Sequence, residues 1–238
     1  MGYATRNIVT TIRPKQNRKY SIIIPAAGMG HRMKKYGPKS LIKLNDKQTI
    51  LQRQIQLIEQ TFRWFEIILV TGFDAEKVNK VIPCKVKTIH NTRYRDKNIV
   101  YSLKLGLDAC STENVIIIYG DLVFNKAAID VPLNEESCAV ISNHMKEEEI
   151  GCAINDRYLQ HMFYGISDKW AQILFLKGYE LKLMKDFADN EKNHACFGFE
   201  AVNYILENNG IIKALTPPSA KVIDIDTSLD LKRINTII

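Results

Sequence analysis

Four residues near the start of the chain have the types and spacing to handle phosphate. Gly28 and Gly30 lie in a run of small residues, Ala26-Ala27-Gly28-Met29-Gly30, followed by Arg32 and, after Pro38, by Lys39. Backbone N–H groups can donate to phosphate oxygens where no Cβ blocks the approach, and glycine tolerates the positive φ such a loop demands. Arg32 adds a planar, permanently charged fork and Lys39 a mobile ammonium. Two cations converging on one anion can stabilise charge that develops in a transition state as well as bind it. A glycine pair serves an ordinary strand-to-helix turn equally well, so its meaning depends on what surrounds it.

Two familiar glycine loops do not fit. A dinucleotide fingerprint needs a third glycine where Met33 stands, and a P-loop needs glycine where Pro38 precedes Lys39-Ser40. A second chemical group stands further on. Asp121 follows the apolar run from Val115 to Ile118 and the pair Tyr119-Gly120. At the carboxyl end of a central strand, on the same edge as the glycine loop, its carboxylate could hold Mg²⁺ against a triphosphate. The alternative is a turn-forming aspartate.

The elements that must position these groups are legible as alternating strands and amphipathic helices, the rhythm of a layered α/β domain. Ile22-Ile23-Ile24, ended by Pro25, predicts a strand buried on both faces. Residues 50–60 carry Leu51, Ile55 and Ile58 at helical spacing, and residues 66–71 form a second apolar strand. Residues 74–81 and 100–109 have helical patterns, whereas 85–89, 114–119 and 138–141 read as strands. A strand is expected within 158–166. Helices are expected over 170–176, 179–188 and 194–208, the last with Phe197, Ala201 and Ile205 as packing residues. Residues 145–149 read as a solvated loop.

Composition sets outer limits. The 238 residues, 46% of them hydrophobic, suit one globular domain with a substantial core. Residues 1–19 lack Asp and Glu and read as a flexible basic arm, with a single domain over 20–238. No apolar run approaches membrane-spanning length, and the N-terminus has no secretory pattern. The five cysteines are odd in number and lack zinc-site spacing, which predicts reduced thiols in a cytoplasmic protein. A net charge of +7 raises the question of nucleic acid, but the charge is scattered and no nucleic-acid-binding motif accompanies it. A pocket for polyphosphate uses the same positive potential.

The string A-A-G-x-G-x-R-M from Ala26 to Met33, with Pro38-Lys39 after it, resembles the signature of nucleotidyltransferases that join a nucleotide to a sugar phosphate or an alcohol phosphate. The resemblance implies a three-layer α/β/α sandwich with a mostly parallel, mixed central sheet, Rossmann-like and of the nucleotide-diphospho-sugar transferase type. It implies that Ala26, Ala27, Gly28 and Gly30 hold the NTP phosphates while Arg32 and Lys39 act in catalysis. The strand-Gly-Asp segment at Asp121 is similar to the family's metal-binding motif. The segment Val222 to Leu231 resembles its I-D-T-x-x-D-L ending, which places Asp226 with Asp121 on Mg²⁺. Helix capping is the alternative for Asp226, and a structural role is expected of Asp230.

Residues Asn91 to Leu103 are similar to the N-x-x-Y…N-x-x-x-S-L segment of small phosphocholine-type cytidylyltransferases. That implies Asn98 and Ser102 at a helix N-terminus facing base or ribose, a role compatible with N-capping by Asn98. The implied reaction is Mg²⁺-dependent transfer of NMP, CMP favoured, from an NTP to a small phosphorylated acceptor with release of pyrophosphate. The acceptor classes that the resemblance implies are phosphocholine-like compounds, sugar phosphates and phosphonates. Its pocket is expected at about residues 137–193, with Lys169 on the phosphate and Trp170 on a cationic or flat headgroup, although core packing is the alternative for Trp170. The D-A-x-R-P segment of isoprenoid-pathway relatives and the E-K-P motif of hexose-1-phosphate enzymes are missing. A nucleotide-sugar glycosyltransferase would want D-x-D where Asp121-Leu122-Val123 stands, and an inactive binding module of this fold would not need both loop cations and both aspartates.

Overall fold

The computed structural model describes residues 19–30, 33, 36–131, 136–142 and 146–234. Arg32, Met145 and residues 1–18 of the basic arm lie outside the described residues, and Lys19, assigned to the arm from sequence, opens the first strand. Strands β1 (Lys19–Ala26), β2 (Trp64–Thr71), β3 (Lys87–His90) and β4 (Asn114–Ile118) pair in parallel. A second half is built from β6 (Cys138–Ile141), β7 (Gly151–Asn155), β8 (Tyr158–Phe163), β9 (Trp170–Lys177) and β10 (Lys213–Leu215). The result is one mixed sheet in the order β3-β2-β1-β4-β9-β6-β10-β8-β7. A separate antiparallel ribbon joins β5 (Leu122–Phe124) to β11 (Val222–Asp224).

Strand alternation explains the layers. Ile22 and Ile24 point into a core shared with Leu51, Ile55 and Ile58 of α1 (Ile50–Thr61) and with Val78 of α2 (Ala75–Asn79). Ile23 points the other way, onto Val100, Leu103 and Leu107 of α3 (Ile99–Asp108) and towards the cluster of α4 (Gly178–Asp189) and α5 (Gly198–Glu207). A third, smaller core of Met33, Ile42, Leu44, Val123, Ile223, Ile225 and Ile234 lies under the ribbon, beside α6 (Ser228–Arg233). Helix α1 starts at a capping box in which Thr49 and Gln52 satisfy each other's backbone amides.

Three sequence expectations are corrected. Residues 170–176 form strand β9, not a helix: Ala171, Ile173 and Phe175 enter one core and Trp170, Leu174 and Leu176 the other. A short run that is apolar on both faces carries no decisive period, and antiparallel pairing with both β4 and β6 fixes it as strand. Over 194–208 the helix begins only at Gly198, after a 3-10 turn over Glu191–Ala195, and Phe197 is exposed rather than packed. The 145–149 loop is not simply solvated, because Lys146 donates to Asp230 at 2.9 Å and its side chain is only 12% exposed. Among the described residues no helix is long and apolar enough to cross a membrane, and all five cysteines are free.

Ile23 contacts the helix layer at a point where the helix presents Gly106, whose added Cβ would lie 2.6 Å from Ile23 Cγ2. Ile23→Ala opens a cavity in this seam and should cost about 2–5 kcal/mol in urea unfolding. Ile211→Ala, at an exposed isoleucine, should stay within about 0.5 kcal/mol.

Candidate active site

The loop after β1 is held in shape by backbone hydrogen bonds, one from the turn after β2 and one within the loop. Phe73 N donates to Ala27 O at 3.0 Å and Met33 N to Gly30 O at 2.7 Å. Gly30 has φ +54°, and a Cβ there would meet Lys39 Cγ at 3.0 Å, so glycine both permits the left-handed turn and leaves room for the lysine stem. Lys39 itself starts a 3-10 turn over Lys39–Leu41. Its ammonium is directed across the loop to Asp121 Oδ2 at 2.9 Å and Asp226 Oδ1 at 2.5 Å.

The ribbon brings the carboxylates together. Asp224 pairs in register with Leu122, and Ile225 N donates to Asp121 O at 3.1 Å, so the chain ends of β5 and β11 place Asp121, Asp224 and Asp226 side by side. A ligand oxygen from each lies within 4.8 Å of the others. Gly120 lets the Asp121 turn approach the loop, because a Cβ at Gly120 would sit 2.8 Å from Ala26 Cβ and 2.9 Å from Pro25 O. From below, the buried Gln54 of α1 donates to Tyr119 O at 2.9 Å and Leu122 O at 2.8 Å. Asp226 is fixed through α6: Asp230 Oδ2 accepts from the amides of Asp226 and Thr227. Asp230 therefore caps a helix, and its pKa is low: burial opposes ionisation, but the Lys146 hydrogen bond and these amides outweigh it.

Charge in the cluster is unevenly matched. Unit charges 4 Å apart interact by about 4 kcal/mol at an effective dielectric near 20. Burial, then the neighbouring Asp121, pushes the Asp224 carboxyl well above the usual carboxylate range. Burial would lower the Lys39 ammonium, but Asp121, Asp224 and Asp226 outweigh it and hold its pKa above the ordinary lysine value. Asp224 Oδ2 accepts from Gln172 Nε2 at 3.2 Å, while Oδ1 is buried with no hydrogen-bond partner among the described residues. That orphaned oxygen, beside two further carboxylates, fits a hard divalent cation.

Two cavities meet here. The first, about 190 Å³, is lined by Ala26, Ala27, Gly28, Gly30, Asn98 and Ser102 among others. The second, about 540 Å³, is walled by Glu149, Tyr164, Trp170, Phe197, Phe199 and Asp224 among others. Lys39, Asn98, Ile99, Tyr119 and Asp121 border both. Asn98 caps α3 by accepting from Ile99 N at 2.8 Å, and the buried Ser102 hydroxyl accepts from Asn91 Nδ2 at 2.9 Å. Trp170 borders the second cavity but is buried, with its ring edge-on to Tyr119 at 5.6 Å. Lys169 does not line that cavity; its buried ammonium donates to Glu147 O and Glu149 O at 2.5 and 3.1 Å and braces the turn that carries Glu149. The cavity wall extends past the 137–193 region to Phe197 and Phe199.

Sequence reasoning missed Asp224, Gln54 and Gln172. The I-D-I-D alternation around Asp224 was a usable signal, since a strand with Ile223 and Ile225 packed on one side must turn Asp224 to the other.

The sequence of residues 22–168, more than half of the chain, matches the family of MobA-like NTP transferase domains. The chain belongs to that family. No curated protein matches the sequence significantly. Among solved structures, this NTP transferase domain resembles the CTP:phosphocholine cytidylyltransferase LicC of Streptococcus pneumoniae, at 18% identity, TM-score 0.73, and 91% and 98% coverage of the two chains. It also resembles the inositol-1-phosphate CTP transferase of T. maritima, at 15% identity, TM-score 0.71, and 90% and 96% coverage. A UDP-glucose pyrophosphorylase from Acinetobacter baumannii superposes with TM-score 0.68 at 11% identity, covering 91% and 92%. At such identities the likeness establishes the nucleotide-diphospho-sugar transferase type of fold. The matched range, residues 22–168, includes the positions of the glycine loop, Lys39 and Asp121, whereas Asp224 and Asp226 lie beyond it.

The charge balance predicts opposite effects on the metal-free protein. Asp224→Asn keeps an acceptor for Gln172 and removes a carboxyl whose folded pKa is raised. Such a group favours folding at low pH and loses that contribution as pH rises from about 3.9 through its folded value. In EDTA at pH 7 the variant should therefore melt above the wild type, with the gap shrinking towards pH 4. Lys39→Met should melt lower. Its loss should be roughly 1–3 kcal/mol, below the 3–5 of a fully buried broken pair because the Lys39 side chain is 15% exposed.

Proposed function

We propose that this protein transfers a nucleoside monophosphate, CMP favoured, from an NTP to a small phosphorylated acceptor and releases pyrophosphate. One observation carries the reading: the glycine-loop cleft and the second cavity share a border made by Lys39 and Asp121, so two substrates bound in them would meet at the carboxylate cluster. The NTP occupies the first cavity, with its phosphates on Gly28 and Gly30 and its nucleoside towards Asn98 and Ser102. Arg32 is assigned to the triphosphate with Lys39. Asp121, Asp224 and Asp226 would hold Mg²⁺, which when bound neutralises charge on the triphosphate.

The acceptor enters through the second cavity. Tyr164 and Phe199 pack edge to face at 5.9 Å, and Phe197 stacks on Phe199 at 6.1 Å, so that three rings of the lining form one aromatic group. With Glu148 and Glu149 also in the lining, these rings favour an acceptor with a cationic headgroup, such as a phosphorylated amino alcohol, over a plain sugar phosphate. An acceptor phosphate is already ionised and needs no general base. The protein's work is alignment: it excludes water with the aromatic wall, orients the attacking oxygen at the shared border, and moves Lys39 from carboxylate to phosphate as negative charge develops.

The test measures pyrophosphate with each NTP against phosphocholine, phosphoethanolamine, aminoalkyl phosphonates and hexose 1-phosphates in Mg²⁺. The account expects release with CTP and a cationic acceptor, and Asp121→Asn should lower that turnover on the order of 100-fold while staying folded. NTP binding without release for any pair would contradict it in favour of a binding module.

A further inference from the structure

Gln172 stands in the interior of β9 with φ +56°, in the left-handed region that residues with a Cβ rarely enter. The pairing of β9 with β6 shifts register opposite this point, between Ala139 and Ile141. Simple alternation would put Gln172 with Trp170 and Leu174 in the helix-side core; its side-chain amide instead reaches Asp224, and the residue, like Trp170, borders the second cavity. Its backbone and its side chain both bond there. The backbone carbonyl accepts from Tyr119 N at 3.4 Å, in the segment that leads to Asp121, and the side-chain amide donates to Asp224 Oδ2 at 3.2 Å. Among the described residues that amide makes the only hydrogen bond to the Asp224 side chain.

We propose that Gln172 is a positioning residue that sets the separation of the Asp121 and Asp224 carboxylates, and that β9 keeps a strained backbone at this point for that purpose. The inference rests on the reading of the carboxylate cluster as a metal site. An ordinary strand residue would be replaced by glycine at a loss of stability, since glycine weakens strand interiors. At φ +56° glycine instead relieves strain. Strain and hydrogen bonding are therefore separable: every truncation of Gln172 loses the bond to Asp224, but glycine alone also releases the left-handed strain.

The test uses the full chain and Mn²⁺ as the probe, with free Mn²⁺ read by electron paramagnetic resonance and melting followed in EDTA. Gln172→Gly should melt above Gln172→Ala, which loses the same amide but keeps the left-handed strain, and should bind Mn²⁺ about tenfold more weakly than the wild type, the effect of losing a group that orients a metal ligand. Gln172→Asn, which tolerates the left-handed backbone but shortens the amide, should fold and weaken Mn²⁺ similarly. Wild-type Mn²⁺ affinity in folded Gln172→Gly or Gln172→Asn overturns the proposal, as does a Gln172→Gly melting point at or below that of Gln172→Ala. Asp224→Asn separates the two layers of the argument. If it binds Mn²⁺ as the wild type does, the carboxylate reading itself fails; if it binds weakly while the Gln172 variants bind normally, only the role of Gln172 falls.

Discussion

Three carboxylates converge on Asp121, Asp224 and Asp226, and the ammonium of Lys39 is what makes their approach tolerable in the metal-free protein. Without a cation between them, like charges a few ångströms apart disfavour the folded state. The three carboxylates make a site of high negative potential, and Lys39 is the cation that answers it through Asp121 and Asp226. Lys39 is a flexible point charge, the kind of cation that can trade one set of oxygen partners for another.

Much of the surrounding fold follows from this constraint. The β5–β11 ribbon exists outside the main sheet and places residues about a hundred positions apart in register, so that Asp121 and Asp224 close on each other. Gln54 ties the turn before β5 to α1, and the capping box of α6 fixes the backbone of Asp226. These supports are buried and polar, and each is hydrogen-bonded to backbone. Such supports keep an active-site group oriented without contacting a ligand.

The halves of the chain differed in how much could be read from sequence. β1, β2 and β4 announced themselves because buried parallel strands are continuous β-branched runs, and the glycine loop, Lys39, Asp121 and Asp226 stand in recognisable local patterns. β9 did not, because Trp170 to Leu176 is apolar on both faces and its pairing partners, not its period, make it a strand. Asp224 is hard to single out because its neighbours in space come from β5, and Lys169 reads as an acceptor-phosphate ligand because nothing local shows that the carbonyls of Glu147 and Glu149 consume its ammonium. Gln172 was least legible of all: a left-handed residue inside a strand leaves no mark in composition or period.

Two cavities that share a border at Lys39 and Asp121 would deliver their ligands to one point, where an acceptor phosphate oxygen would attack the α-phosphorus of the nucleotide. An acceptor labelled with oxygen-18 in its phosphate group tests this most directly, with products followed by phosphorus NMR. The account predicts the label in the bridge of a new diphosphate, seen as an isotope shift at the nucleotide's α-phosphorus, with unlabelled pyrophosphate released. Label in the released phosphate or pyrophosphate, or nucleoside monophosphate formed with its oxygen drawn from water, would contradict it.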